Sequence, residues 1–189
     1  MAEFFILRHG ETVWNVEGRM QGHLDSALTA RGREQAVRQG AILRAAGAQG
    51  LPVQSSPSGR ATETAALALP GSVCTLDDRL CEVAMGAWQG RTMREIERAW
   101  PGATDDPHPF LWKFAAPGGE TLEAMQTRLA GWLAEQTASC IVVTHGVTSQ
   151  LLRGALLGCD TAAMAELEDR QGVVYRVRNG MEERLVMDD

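Results

Sequence analysis

The chain has 189 residues, 44% of them hydrophobic and 22% charged, with a formal net charge of −6. That composition fits one soluble globular domain over residues 1–189. The acidic balance argues against nucleic acid as a partner, and no uninterrupted apolar run reaches the roughly 18 residues of a membrane span. The opening "MAEFFILRHG" has an acid before its apolar run, no basic stretch and no small-residue cleavage site, so it does not read as a secretory signal. Cys74, Cys81, Cys140 and Cys159 form no CxxC pair. Reduced, mostly buried thiols in a cytoplasmic protein are expected. Lys113 is the only lysine, so the remaining basic residues are arginines, whose forked guanidinium groups bind oxyanions bidentately.

Residues 3–7 are an apolar run and predict a buried strand that ends at "RHG". Residues 15–28 mix Gly, Asn, Asp and Gln and predict a loop. Thr29 is placed to cap a helix reaching Ala46, with Gly47 as its stop and Ala36, Gly40 and Leu43 on one face. "LPVQSS" (51–56) predicts a second strand, and Ser58 then caps "GRATETAALAL", a helix closed by Pro70 and Gly71. "SVCTL" predicts a third strand, and residues 92–100 a helix that stops at Pro101. The segment 101–118 carries four of the seven prolines with Phe110, Trp112 and Phe114, and predicts a loop with apolar anchors. Residues 121–136 return to helix, with Leu122, Met125, Leu129, Trp132 and Leu133 on one stripe. "CIVVT" (140–144) is a β-branched strand, followed by the apolar helix "VTSQLLRGALLG". "VVYRVRNGMEERLVM" predicts two strands turned at Asn179-Gly180. That ribbon is either a plain hairpin or the edge of a homodimer.

Strands alternating with helices imply an α/β fold with a largely parallel sheet and the terminal hairpin as its antiparallel edge. Ligands of such sheets sit outside the carboxyl ends of the strands. "FILRHGET" (4–11) and "IVVTHGVT" (141–148) each put His-Gly just past a strand's carboxyl end, and "VQSSPSGR" delivers Arg60 on the first turn of the next helix. If these strands are neighbours, Arg8, His9, Arg60 and His145 share one crevice. A cationic crevice in an acidic chain suits a small dianion, above all phosphate. Helix N-termini after residues 58 and 146 would add N–H donors.

A neutral imidazole attacks phosphorus well. Neighbouring guanidinium charges keep it neutral near pH 7 and stabilise the phosphoryl transition state. A departing alkoxide needs a proton. A carboxyl group raised in pKa by phosphate oxygens could give one, a contribution of roughly 10²–10⁴ in rate. Glu11 and Glu82 are the candidates, and the residues alone leave both open. Taken singly, each histidine reads as a hydrogen-bonded core residue; the pairing at two strand ends is what points to chemistry.

"LRHGETVWNVEGRMQGHLDSALTARGREQA" resembles the opening of the histidine phosphatase superfamily, the phosphoglycerate mutase-like proteins. "SSPSGRATETA" is similar to its second arginine motif, "LCEVAMGAWQG" to its acid motif, "APGGETLEAMQTRL" to the stretch before the last block, and "VVTHGVTSQLLRGALLG" to its second histidine motif. Ordered blocks over residues 4–158 are far more specific than RHG alone. The resemblance implies a three-layer αβα sandwich. It implies His9 as the nucleophile, Glu82 as the proton donor, and Arg8, Arg60 and His145 around the phosphoryl group. Asn15, Gln21 and Gly22 would form the phosphate-side loop, with Gly146 at the second histidine motif. No cofactor is implied. No metal is expected either, since the four histidines are scattered and no H-x-x-x-H or cysteine cluster occurs.

Three positions depart from the family pattern. Ala27 replaces a frequent proline, Gln89 a common glutamate in the acid-motif turn, and Ser58 a commoner leucine. His23 and His108 are expected at the surface, with His23 near the mouth. The aromatic trio reads as packing, and 105–117 as a cover over the crevice that shapes specificity. The activity so implied is hydrolysis of a small phosphorylated metabolite. The rivals are a phosphoglycerate mutase, usually longer between acid motif and second histidine motif, and a silent phospholigand-binding module.

Overall fold

The computed structural model describes residues 2–106, 108 and 110–187. Six strands form one sheet: β1 (Phe4–Arg8), β2 (Val53–Ser55), β3 (Cys74–Leu76), β4 (Cys140–Thr144), β5 (Val174–Arg178) and β6 (Met181–Leu185). Their order is β3-β2-β4-β1-β5-β6, so the two strands that end in His-Gly lie side by side at the centre. β3, β2, β4 and β1 are parallel; β5 runs antiparallel to β1, and β6 antiparallel to β5. Asn179 and Gly180 both have positive φ (53° and 69°), the geometry of the tight turn read from the sequence.

β1 shows why a continuous apolar run here means a central strand. Phe5 and Leu7 face one layer, with Ile42 and Leu43 of α2 (Ala30–Ala45) and Ala61, Ala65 and Ala68 of α3 (Gly59–Ala68). Phe4 and Ile6 face the other, with Trp132 of α5 (Leu122–Ala134) and Leu152 of α6 (Gly146–Leu157). Alternation along the strand thus feeds two cores, as in a sheet covered on both sides. α2 and α3 lie so close that a Cβ on Gly40 would stand 2.1 Å from the Ala68 carbonyl oxygen.

A third core lies beneath the excursion 81–116. Val83, Met85, Trp88, Ile96, Phe110 and Trp112 are buried there against Met125, Leu129, Val147 and Leu151. This segment holds a 3₁₀ turn at Gly86–Trp88, the helix α4 (Met93–Ala99) and a second 3₁₀ turn at Leu111–Ala115. Trp112 stacks at 5.6 Å from Trp88, ring centre to ring centre, so it belongs to this core and does not line the crevice. The prolines at 107 and 109 lie outside the described residues.

Two short helices sit where none was expected. One (Val13–Glu17) lies at the start of the predicted loop and is held by a capping box between Thr12 and Asn15. The other (Thr161–Ala165) follows α6. Of the four free cysteines only Cys140 is buried; Cys74, Cys81 and Cys159 are partly exposed, which corrects the expectation of mostly buried thiols. No helix of the described residues is long and apolar enough to cross a membrane.

Candidate active site

Sheet register brings the two histidines together. Arg8 pairs with Thr144 across β1 and β4, and the His9 amide extends the ladder to the Thr144 carbonyl at 2.9 Å. The imidazoles of His9 and His145 therefore meet edge to face, 5.2 Å between centres. The glycine behind each histidine makes room for a neighbour. A Cβ on Gly10 would lie 2.1 Å from the Gly32 carbonyl oxygen, and one on Gly146 would lie 2.7 Å from the Asp169 carboxylate.

His9 is buried and its Nδ1 lies 2.8 Å from the Gly10 carbonyl oxygen. A carbonyl only accepts, so Nδ1 carries the proton and Nε2 keeps its lone pair. Burial, then the charges of His145, Arg8 and Arg60, hold the His9 pKa well below the ordinary imidazole value. His145 is fully buried and is lowered in the same way by burial, Arg60 and Arg8. Its Nε2 lies 2.8 Å from Ser56 Oγ, which sits just past the end of β2.

His9 lines a cavity of about 230 Å³ with Arg8, Arg60, Glu82, Asn15, Gln21, Gly22, Arg19 and Lys113 among its neighbours. Arg8 is braced by Asp169, through the carboxylate (2.6 Å) and the backbone carbonyl (3.0 Å). Arg60 donates to the carbonyls of Leu24 (2.8 Å) and Gly22 (2.9 Å) and to the Asp25 carboxylate (2.9 Å). Three groups around His9 retain a buried polar atom with no partner among the described residues: Nε of Arg8, Nε of Arg60 and Nδ1 of His145. Buried polar atoms are nearly always paired, so these three are donors with capacity for an added acceptor.

Glu82 and Glu11 separate cleanly. Glu11 accepts from Thr29 Oγ1 at 2.8 Å at the start of α2, outside the cavity. Glu82 lines the cavity and accepts from the amides of Val83 (3.0 Å), Val147 (3.2 Å) and Thr148 (3.2 Å). Burial pushes its carboxyl up, but Lys113, the Val83 amide, Arg60 and Arg8 together outweigh burial, so its pKa lies below the ordinary value. The N-terminus of α6 is thus used to hold Glu82. That of α3 is likewise turned to Asp25, which accepts from the Arg60 amide at 3.3 Å. Both helix N-termini are occupied by carboxylates, which corrects the expectation that they face the anion directly.

The remaining residues fall at the rim. Asn15 uses Oδ1 for the Thr12 amide and for Gln171, so its amide nitrogen is the end left for a ligand. Gln21 donates to Thr12 Oγ1, and its buried Oε1 has no partner among the described residues. Gly22 has φ of 53°, and a Cβ there would lie 2.3 Å from Gln89 Oε1. Gln89 accepts from the His23 amide at 2.7 Å, so this departure from the family pattern ties the loop around Gly22 to the turn that follows Glu82. His23 is exposed, as expected, and donates from Nε2 to the Glu82 carbonyl at 3.0 Å. Among the described residues no three His, Cys, Asp or Glu side chains are grouped to hold a metal ion.

Sequence reasoning missed Lys113, Asp169 and Gln171. Gln171 Nε2 donates to the His9 carbonyl and to Asn15 Oδ1, at 3.1 Å each.

The fold and this crevice define a class: α/β proteins that gather histidines and arginines at the carboxyl edge of a parallel sheet. Residues 4–186 match the family model described as histidine phosphatase superfamily (branch 1), and the chain belongs to that superfamily. It is 32% identical over 191 residues to a protein of Salmonella paratyphi C named probable phosphoglycerate mutase GpmB, covering 94% of this chain and 85% of that one. Among solved structures it is similar to Bacillus stearothermophilus YhfR (TM-score 0.83, 33% identity, 98% of this chain and 96% of that one). It is also similar to a mycobacterial glucosyl-3-phosphoglycerate phosphatase in complex with VO3 (TM-score 0.78, 31% identity, 93% and 90%).

Proposed function

We propose that this chain is a phosphomonoesterase that acts on a small phosphorylated metabolite through a phosphohistidine on His9. The observation that carries the reading is the His9 imidazole itself, with Nδ1–H engaged by Gly10 and Nε2 free, in a cavity shared with two guanidinium groups and Glu82. A volume of about 230 Å³ suits a small metabolite; pockets for drug-sized ligands span roughly 300–1,000 Å³. That the mycobacterial relative is a phosphatase solved in complex with VO3 supports an oxyanion as the ligand.

In the first step Nε2 of His9 attacks phosphorus, the ester P–O bond breaks, and protonated Glu82 gives its proton to the departing alcohol oxygen. Arg8 and Arg60 neutralise the charge on the transferring phosphoryl oxygens. Glu82 is ionised in the ligand-free protein; a phosphate dianion beside it raises its pKa and favours the acid form. In the second step Glu82 takes a proton from water as the water oxygen bonds to phosphorus. The N–P bond breaks, inorganic phosphate leaves, and His9 is again neutral.

The test is rapid quench with a ³²P-labelled phosphomonoester that the enzyme turns over. An acid-labile, base-stable phosphoryl adduct is expected on wild type and not on His9→Ala, with turnover lost in the variant. Turnover without that adduct overturns the reading. The relatives named probable phosphoglycerate mutase favour a second reading, in which the phosphoryl group returns to another hydroxyl of the substrate. The compact stretch between Glu82 and His145 speaks for hydrolysis. With 3-phosphoglycerate, released phosphate supports hydrolysis, and accumulation of 2-phosphoglycerate supports the mutase.

A further inference from the structure

A neutral imidazole carries one ring proton, and the two buried histidines settle its place differently. For His9 a backbone carbonyl at Nδ1 decides it. His145 instead meets a hydroxyl, Ser56 Oγ, 2.8 Å from its Nε2. A hydroxyl both donates and accepts, so this contact alone leaves two tautomers open. In one, Nε2–H donates to Ser56 and Nδ1 is a bare lone pair. In the other, Ser56 donates to Nε2 and Nδ1 carries the proton.

The surroundings of Ser56 choose between them. Ser56 is fully buried, and its amide donates to the Val143 carbonyl at 3.0 Å, which seats it beside the end of β4. The Ser58 amide lies 3.3 Å from Ser56 Oγ; an amide only donates, so it takes one lone pair of the hydroxyl. Ser58 stands at the N-cap position of α3 but makes no side-chain cap bond, against the cap read from the sequence. Its Oγ lies 3.1 Å from Ser56 Oγ and can give its proton to the second lone pair. The Ser56 proton then has two acceptors in reach, His145 Nε2 at 2.8 Å and Cys81 Sγ at 3.7 Å. A thiol sulfur accepts weakly, so the proton goes to the imidazole. Nδ1 of His145, buried and without a partner among the described residues, is left with the ring proton beside Arg8 and Arg60. A bare lone pair there would repel a phosphoryl oxygen; an N–H receives one.

We propose that Ser58 and Ser56 are positioning residues, a relay of two hydroxyls that holds His145 in its Nδ1–H tautomer so that it donates to the phosphoryl group. The effect on rate rests on the phosphomonoesterase reading; the tautomer itself is a property of the ligand-free protein. Ser58 departs from the leucine commoner in the family pattern, so the outer hydroxyl is a feature of this chain.

The experiment reads the tautomer and the rate separately. Long-range ¹H–¹⁵N spectra of histidine-labelled protein at pH 8 tell a protonated ring nitrogen from a bare one, and His145→Gln assigns the signals. Wild-type His145 is expected as Nδ1–H, Ser56→Ala as a mixture of tautomers, and Ser58→Ala as a mixture with less of the second form. With a phosphomonoester, kcat of Ser56→Ala should fall about tenfold or more and KM should change less, because this hydrogen bond strengthens as charge develops on the phosphoryl oxygens. Ser58→Ala should show a smaller loss of the same kind. Nε2–H in wild type, or a tautomer unchanged in either variant, overturns the relay. Should Ser56→Ala fail to fold, Ser58→Ala, at a partly exposed position, decides alone. Mixed tautomers in Ser56→Ala with unaltered kcat overturn the donor role of His145. If wild type turns over no ester, the phosphomonoesterase reading falls and the spectra alone judge the relay.

Discussion

In the proposed reaction Glu82 holds a proton in one step and lacks it in the other, and its surroundings explain how one side chain does both. Three amides and the Thr148 hydroxyl favour the carboxylate, while an arriving dianion favours the acid. Glu82→Gln keeps the shape and some of these contacts but has no proton to exchange. Its kcat/KM for alkyl phosphates is expected to fall by roughly 10²–10⁴, with a smaller loss for p-nitrophenyl phosphate, whose leaving group needs little protonation. Equal losses on both substrates would remove Glu82 from the acid role. Arg8, His9, Arg60 and His145 were legible because each sits at a strand end or first helical turn, where the sequence itself marks the sheet's carboxyl edge. Glu82 was legible only through resemblance: nothing local distinguishes it from Glu11, and two of the three amides that hold it lie 65 and 66 residues away. Lys113 was hidden because a lysine in a proline-rich segment has no periodicity to say which way it points.

At the scale of elements, strand order decides the site, and periodicity was enough to find β1 and β4. Even the three-residue strands β2 and β3 were readable from the turn residues around them. The loop before β5 was not, because its contacts cross almost the whole chain. Asp169 braces Arg8 from 161 residues away, and Gln171 reaches His9 and Asn15 from 162 and 156 residues away. This loop joins the end of β1 to the segment that begins at Asn15. Gln171→Ala removes one amide that serves both, and leaves the His9 carbonyl without that donor. We expect kcat to fall about tenfold or more, since small displacements of reacting groups have large effects on rate. KM for the same ester should change less, and the unfolding midpoint should move by only a few degrees. Unaltered kcat with a lowered unfolding midpoint would make the residue a structural tie alone.

For the whole molecule, the consequence of placing a cationic crevice in a chain of net charge −6 is a dependence of stability on pH. His9 and His145 are both buried, and burial with their cationic neighbours lowers both pKa values well below 6.5. The unfolded chain therefore binds protons near pH 6.5 that the folded chain refuses. Stability from these two histidines is fully present above the unfolded pKa and is lost as pH falls below it toward the folded values. The limiting slope is about 1.4 kcal/mol per pH unit for each histidine. Glu82 and the ion-paired Asp77 have lowered carboxyl pKa values and act in the same direction, but in a window below their ordinary values of 4.5 and 3.8. Urea unfolding between pH 8 and pH 5 separates the two sets. We expect a plateau above pH 7.5 and a decline that begins near pH 6.5, well above the window of Glu82 and Asp77. Replacing His145 by Gln should make the decline shallower by about one proton's worth of slope. On the proposed reading, saturating inorganic phosphate should raise the plateau by mass action, since a ligand of the folded crevice alone stabilises the fold. A flat profile down to pH 5 would mean that the imidazoles take up protons in the folded crevice as readily as in the unfolded chain, and a neutral His9 nucleophile would lose its physical basis.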